Sequence, residues 1–332
     1  MDGPLISVII PVYNGADYLR EAIDSVLKQV CNDYELIVVN DGSNDGGATE
    51  AIVESFGDRI RYCYKGNGGV SSALNVGIAH MRGEWFAWLS HDDLMSINRI
   101  ESDRRLIQLA PNARVLFCRA AEIDAQGRDI GETYYPIQEV RSPRDALRLG
   151  GVNFCAMTVH RSCFQKVGLF NEKNLTAQDT EMSLKLASAY PFFLNQEATS
   201  YRREHPSRGT HAYSEQRKRD RLLLSESIHD QIGFERFFGD IGFDADARSR
   251  AWTWLGRLYE WLGAVHYAEE CYRNSLASEV GLFRQLARRA DILRITNTSP
   301  LLAQLIIGLR CVVRLQRRMH GWRRIVTIQS MF

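Results

Sequence analysis

The sequence predicts an α/β fold, a Rossmann-like and mostly parallel sheet flanked by helices, followed by an α-helical C-terminal extension. Three observations carry that expectation. Short, nearly continuous apolar runs rich in β-branched residues alternate with stretches of helical periodicity, as strands covered on both faces require. Each run ends in a polar or glycine-containing segment, and ligands of open α/β sheets bind at such strand ends. The last third of the chain reads as helical, from a highly charged segment at 211–221 to helical spacing around Trp252, Leu255 and Tyr259.

Residues 5–12, Leu-Ile-Ser-Val-Ile-Ile-Pro-Val, form the first strand. Tyr13, Asn14 and Gly15 make a turn, after which Leu19, Ile23, Val26 and Leu27 recur at helical spacing among Arg20, Glu21, Asp24 and Lys28. Residues 34–39 are the second strand, ending in Asn40, Asp41 and Gly42. Asp41 stands where a ligand of the sheet would lie. The same segment also reads as a turn in which Ser43 or Asn44 caps a helix over 51–56, and both readings can hold. Residues 60–64 give a short third strand. The stretch behind it, 65–77, holds glycines that let backbone pass close to another group, with Asn67 and Asn75 offering amides for hydrogen bonding.

The fourth strand, 85–89, runs straight into Ser90, His91, Asp92 and Asp93. Adjacent carboxylates at the end of a buried strand repel each other and lose hydration, so a cation must offset them if they are buried. A divalent metal carrying a diphosphate is one reading. A polar turn in which Asp92 or Asp93 caps the next helix is the other. A helix at 98–109, a strand at 113–118 and a polar turn over 124–131 follow.

With 332 residues, 45% hydrophobic and 24% charged, the chain has the composition of a globular protein with a large core. A net charge of +1 gives no global attraction for nucleic acid. Seven cysteines with no Cys-x-x-Cys pair read as reduced, buried thiols, and the N-terminus shows no secretory signal; both point to the cytoplasm. A dinucleotide fingerprint needs Gly-x-Gly-x-x-Gly directly after the first strand. Tyr13, Asn14 and Gly15 stand there instead, which argues against hydride transfer.

The ordered set Val-Ile-Ile-Pro-Val-Tyr-Asn (8–14), Val-Asn-Asp-Gly-Ser (39–43), Asn-x-Gly-x-x-x-Ala-x-Asn-x-Gly (67–77) and Leu-Ser-His-Asp-Asp (89–93) resembles the family-2 inverting glycosyltransferases, whose A-type fold binds nucleotide-sugars. The resemblance implies a nucleotide cradle from Pro11, Val12, Tyr13 and Asn14 and base recognition by Asp41, to which Asn67 and Asn75 would add their amides. It implies a divalent metal, Mn2+ or Mg2+, bound by Asp92, the last carboxylate of the family's Asp-x-Asp motif. Ser90 stands where the first aspartate is usual, and with His91 and Asp93 it would border the donor.

A second stretch, Val167 to Glu172 and then Gln178 and Asp179, resembles the family's acceptor half. Asp179 falls at the catalytic base, and Gln178 where a glutamate is usual. Read locally, Asp179 is also an aspartate satisfying free amides at a helix N-terminus. Tyr201, Arg202 and His205 resemble the family's Tyr-Arg-x-x-His segment, which implies that Arg202 and His205 meet the diphosphate.

These expectations assign residues 1–210 to a nucleotide-sugar-binding catalytic domain and 211–300 to a helical extension. Within the extension Trp252, Leu255, Gly256, Tyr259, Gly263, Ala268 and Tyr272 fit one tetratricopeptide-like hairpin. Residues 301–332 hold six arginines and no acid, with Leu302, Leu305, Ile306, Leu309, Val312 and Val313 on one helical face. They read either as a basic amphipathic tail in peripheral contact with an anionic membrane or as a terminal helix packed on the protein. The expected activity moves a sugar from a UDP-sugar or related donor to a saccharide or lipid-linked acceptor, in polysaccharide or glycolipid synthesis at the cytoplasmic side. The alternative is a non-catalytic nucleotide-sugar-binding or scaffold protein, which Ser90 and Gln178 keep open.

Overall fold

A computed structural model of the chain describes residues 3–133, 139–148, 153–206, 214–239, 244–278 and 282–296. β1 (Ile6–Val12) is buried at every position. α1 (Leu19–Leu27) turns Leu19, Ala22, Ile23 and Val26 inward, and β2 (Tyr34–Asn40) completes a βαβ unit. α2 (Ala48–Glu54), β3 (Arg61–Tyr64), α3 (Val70–His80) and β4 (Trp85–Trp88) continue the alternation. These four strands run parallel in the order β3-β2-β1-β4. α2 starts earlier than its periodicity predicts, and neither Ser43 nor Asn44 caps it. Asp45 fills that role, its Oδ2 accepting from Thr49 N at 3.0 Å and Thr49 Oγ1 at 2.6 Å. Ser43 and Asn44 are held by Asn14 instead.

Beyond β4 the sheet becomes mixed. β5 (Leu94–Met95), α4 (Arg99–Leu109), β6 (Val115–Ile123), β7 (Asp129–Thr133) and β8 (Glu139–Val140) are followed by α5 (Pro143–Arg148), β9 (Met157–His160), α6 (Ser162–Val167), α7 (Gln178–Ala187) and β10 (Phe192–Arg203). The order is β3-β2-β1-β4-β9-β6-β10-β5, with β7 on β6 and β8 on β10. β9 is antiparallel to both β4 and β6, whereas β10 runs parallel to β6. A register shift between Asn195 and Thr199 interrupts β10. Such a shift breaks the alternation by which strands are read from sequence.

Two devices lock this second half. Arg99 is fully buried; its Nε donates to Asp103 at 2.7 Å, Nη1 to Cys118 Sγ at 2.7 Å, and Nη2 to Ala156 O and Thr158 Oγ1 at 3.0 and 2.9 Å. Asn195 on β10 donates to the same Asp103 at 2.6 Å. A buried guanidinium is tolerable because these partners replace its hydration. On the other side of the strands Phe86, Trp88, Phe154, Phe164 and Phe170 pack ring to ring, with centroids 5.2–6.4 Å apart.

The chain divides into two compact units, Met1–Asp220 and Arg221–Phe332, and α8 (Ser214–Glu226) runs across the division. The expected boundary at 210 lies outside the described residues. The second unit contains α9 (Gly233–Phe238), α10 (Ala245–Leu262), α11 (Val265–Ala277) and α12 (Leu282–Thr296). α10 begins at Asp244, whose side chain accepts from Ala247 N, and ends at Gly263 in the left-handed region with φ 85°. α10 and α11 approach closely where residues are small. A Cβ on Gly256 would sit 2.8 Å from the Tyr272 ring, and Ser249, Thr253 and Ser275 share buried hydroxyl bonds. Among the described residues no helix is long and apolar enough to cross a membrane. The basic tail, 301–332, lies outside them.

Candidate functional site

The loops that follow β1 and β2 and the end of β4 pack on one another. Pro11 and Val12 prove to be buried members of β1, and the Val12 carbonyl accepts from Asp41 N at 2.8 Å. Their side chains are core, so of the expected cradle Tyr13, 43% exposed, and Asn14 remain available. Asn14 takes a left-handed conformation, φ 51°, which asparagine tolerates better than most residues. Its N–H donates to Ser43 Oγ, its Nδ2 donates to Asn44 Oδ1, and its Oδ1 accepts from Asn44 N. Gly15 leaves space that His91 fills, since a Cβ there would run into the His91 ring.

Asp41 is buried, with both oxygens engaged. They accept from Lys65 Nζ at 2.5 Å, Gly68 N at 3.0 Å and Gly69 N at 2.7 Å. The carboxylate thereby folds the 65–69 loop, on which Asn67 is exposed. Gly42, φ 72°, is required beside it, because a Cβ would lie 2.7 Å from Asn67 N. Asn75 departs from its expected role. It sits inside α3, where its Nδ2 donates to Phe170 O and Glu172 Oε1 and its Oδ1 accepts from Phe170 N. Its amide staples α3 to the segment after α6 and does not line the 65–69 loop.

At the end of β4, Ser90 Oγ lies 3.3 Å from Cys155 Sγ. Burial, helped by the charge of Asp93, pushes the Cys155 thiol well above its ordinary range, so it stands neutral. A turn is present here, with Asp93 N donating to Ser90 O, yet neither carboxylate caps α4. Both reach across to β10. Asp93 is buried, and its Oδ1 accepts from Arg203 N at 2.9 Å. Asp92 Oδ2 lies 3.0 Å from His205 Nε2, and the Asp92 carbonyl accepts from Arg203 Nε at 2.9 Å.

Strand parity sorts the two arginines and sets Arg202, expected beside His205 at the diphosphate, on the other face of β10. Side chains an even number of residues apart along an extended strand share a face. Arg203 and His205 therefore turn toward Asp92, while Arg202 turns away to Glu122, its register partner on β6, and to Glu204. Arg203 is 0% exposed. Its Nη1 donates to Ala125 O at 3.0 Å, its Nη2 donates to Glu21 Oε2 at 2.7 Å, and its guanidinium carbon lies 4.5 Å from the Tyr18 ring centre. The same Tyr18 ring meets the buried His205 imidazole at 4.8 Å. Tyr18 and Glu21 were not expected. They stand three residues apart at the start of α1, and that spacing is the one sequence signal that could have paired them.

Asp179 is the second residue of α7, half-buried, with Oδ1 accepting from Thr180 N at 2.7 Å. The start of that helix is served by Asn174, whose Oδ1 accepts from Ala177 N at 2.9 Å. Among the described residues no group of three or more His, Cys, Asp and Glu side chains could hold a metal ion. Asp92 and His205 nevertheless bring one carboxylate and one imidazole together, which suits an ion that completes its coordination with phosphate oxygens and water.

The model of the family described as Glycosyl transferase family 2 matches residues 7–168. An uncharacterized glycosyltransferase of Rickettsia felis is 38% identical over 232 residues, which is 68% of this chain and 38% of that protein. A second, RT0329 of Rickettsia typhi, is 39% identical over 215 residues, 62% of this chain and 66% of that protein. Chondroitin synthase of Pasteurella multocida is 29% identical over 192 residues, 57% of this chain and 19% of that protein. The chain thus spans well under half the length of the Rickettsia felis relative. Among solved structures, S. aureus TarS 1–349 in complex with UDP-GlcNAc superposes with a TM-score of 0.61 at 18% identity, covering 96% of this chain and 93% of TarS 1–349. That similarity speaks to the fold.

Proposed function

We propose that this chain, which belongs to glycosyl transferase family 2 and has the A-type fold, moves a sugar from a nucleotide-diphosphate sugar to an acceptor hydroxyl with inversion. The observation that carries the reading is the meeting of Asp92 at the end of β4 with His205 beyond the end of β10, across the buried Arg203. Tyr13 and the 65–69 loop border the nucleotide. A divalent metal, Mn2+ or Mg2+, held by Asp92 and His205 would neutralise the diphosphate and so ease its departure. Arg203 fixes the Asp92 carbonyl, Asp93 fixes the Arg203 main chain, and Glu21 and Tyr18 fix the guanidinium. These contacts set the strand end before substrate arrives. Asp179 takes the proton of the acceptor hydroxyl, whose oxygen attacks the anomeric carbon from the face opposite the nucleotide.

The UDP-GlcNAc bound by TarS supports a UDP-sugar as donor. The chondroitin and hyaluronan synthases among the relatives support a saccharide acceptor. The six arginines and missing acids of 301–332 support peripheral contact with the cytoplasmic face of an anionic membrane, where lipid-linked acceptors would be met. The test is hydrolysis and transfer across a panel of UDP-, GDP- and TDP-sugars with Mn2+ or Mg2+, for the wild type and Asp179→Asn. Turnover that Asp179→Asn abolishes while donor binding persists is expected. A chain that binds donors yet turns none over, or an Asp179→Asn variant as active as wild type, sinks the proposal.

A further inference from the structure

Asp220, on α8, is 0% exposed, yet no part of the proposed mechanism uses it. Its Oδ2 accepts from Leu175 N at 3.2 Å, Thr176 N at 2.7 Å and Thr176 Oγ1 at 2.6 Å. Its Oδ1 accepts from Gln216 Nε2, one turn earlier, at 2.8 Å. Leu175 and Thr176 belong to the short segment that leads into α7, and Asp179 follows three residues after Thr176. The rest of that segment is also bonded. Buried Asn174 accepts from Ala177 N at 2.9 Å and donates to Glu181 Oε2 at 2.8 Å, while its carbonyl accepts from Ser71 Oγ at 3.4 Å. Glu181 is itself buried and paired with Lys185 at 2.7 Å.

An apolar residue at 220 would be simpler to bury, but it would leave the Leu175 and Thr176 N–H groups without acceptors. A carboxylate satisfies both N–H groups and the hydroxyl at once and fixes the course of the main chain. We infer that Asp220 is a positioning residue: through the 174–177 segment it sets where the Asp179 carboxylate stands. The inference rests on Asp179 being the base. It extends the site to α8, past the residues 7–168 matched by the family model. Displacement of a reacting group by about 1 Å can cost roughly a hundredfold in rate.

The experiment is steady-state kinetics with whichever donor of the panel turns over fastest, on the full chain, for Asp220→Ala, Asp220→Asn and Thr176→Val beside Asp179→Asn. Asp220→Ala should lower kcat roughly 10- to 100-fold with donor KM within about twofold of wild type. Asp220→Asn should recover most of the rate, because its amide oxygen can replace Oδ2 and the Gln216 amide can rotate to accept from its NH2. A folded Asp220→Ala with wild-type kcat, or an Asp220→Asn as slow as Asp220→Ala, overturns the inference. If Asp220→Ala does not fold, Thr176→Val, which deletes one of the three donors, decides. It should lower kcat severalfold with KM unchanged, and an unchanged kcat refutes the role. An active Asp179→Asn is a separate result, showing that the base assignment has failed and not the clamp.

Discussion

Replacing Arg203 by methionine keeps a side chain of similar length while removing the guanidinium. The variant loses the bonds that the buried guanidinium makes to the partly buried Asp92 and Ala125 carbonyls. Hydrogen bonds from a charged donor are worth about 1.5–3 kcal/mol each. The pair with Glu21 adds little, because Glu21 is 56% exposed and its charge is screened. The contact over Tyr18 contributes about 0.5–2 kcal/mol, and relief of the buried charge returns part of the sum. The net loss is about 3–5 kcal/mol, which for a unit of about 200 residues lowers Tm by roughly 6–20 °C. Arg202→Met, one residue away, breaks only ion pairs between groups about one third exposed. It should cost no more than about 1 kcal/mol. Thermal unfolding of both variants by circular dichroism at neutral pH, with donor turnover alongside, decides the matter. Arg203→Met should be much the less stable and nearly inactive. Equal shifts, or a larger one for Arg202→Met, would refute the parity argument and with it the assignment of Arg203 to the site.

Asp92→Asn and His205→Ala should each weaken Mn2+ binding in the presence of UDP at least tenfold by titration calorimetry, whereas Arg202→Met should not; an unaffected affinity in either variant removes that residue as a ligand. Burial alone would raise the Glu35 carboxyl, but bonds from Ser7, Arg82 N–H and Arg61 hold it below its ordinary value of 4.5. Its contribution is therefore present above that value and lost as pH falls through the lower folded one. Urea unfolding from pH 6 to 3 should show wild type losing stability more steeply than Glu35→Gln, and parallel curves would contradict the sign. Burial holds the Cys118 and Cys163 thiols up at about 12. Neither should react with a thiol reagent at pH 8 until the chain unfolds, and labelling of either in the native protein, seen by peptide mass, would count against the packing.

The parallel half of the sheet was legible because strands covered on both faces leave continuous apolar runs, and β1, β2 and β4 are such runs, while the short β3 is only partly buried. Asp92 was legible as the acid ending one of them. The residues that meet it were harder to read. β10 is interrupted between Asn195 and Thr199, so its alternation is lost, and no strand is read over Tyr201 to His205 from the sequence. Without a strand there was no parity, and the motif alone pointed to Arg202 in preference to Arg203. A charged residue is almost never fully buried unless it is paired, so nothing local marked Arg203 as core. Asn75 shows the opposite failure. Its motif position suggested a ligand, but helix geometry aimed its amide at Phe170.

The sheet order divides the site by distance along the chain. Asp41 finds Gly68 after 27 residues, and Asn14 finds Asn44 after 30, whereas Asp92 and His205 are separated by 113. At a synthesis rate of about 5–20 residues per second, the carboxylates that follow β4 leave the ribosome roughly 6–23 s before Arg203 and His205 exist. The loops around Asp41 can close in that interval from local contacts. The carboxylates of Asp92 and Asp93 must wait for their partners until the Arg203 main chain and His205 are made. A chain interrupted within β10 would thus retain the parallel half of the sheet and the loops after β1 and β2, and lack the end where charge is balanced.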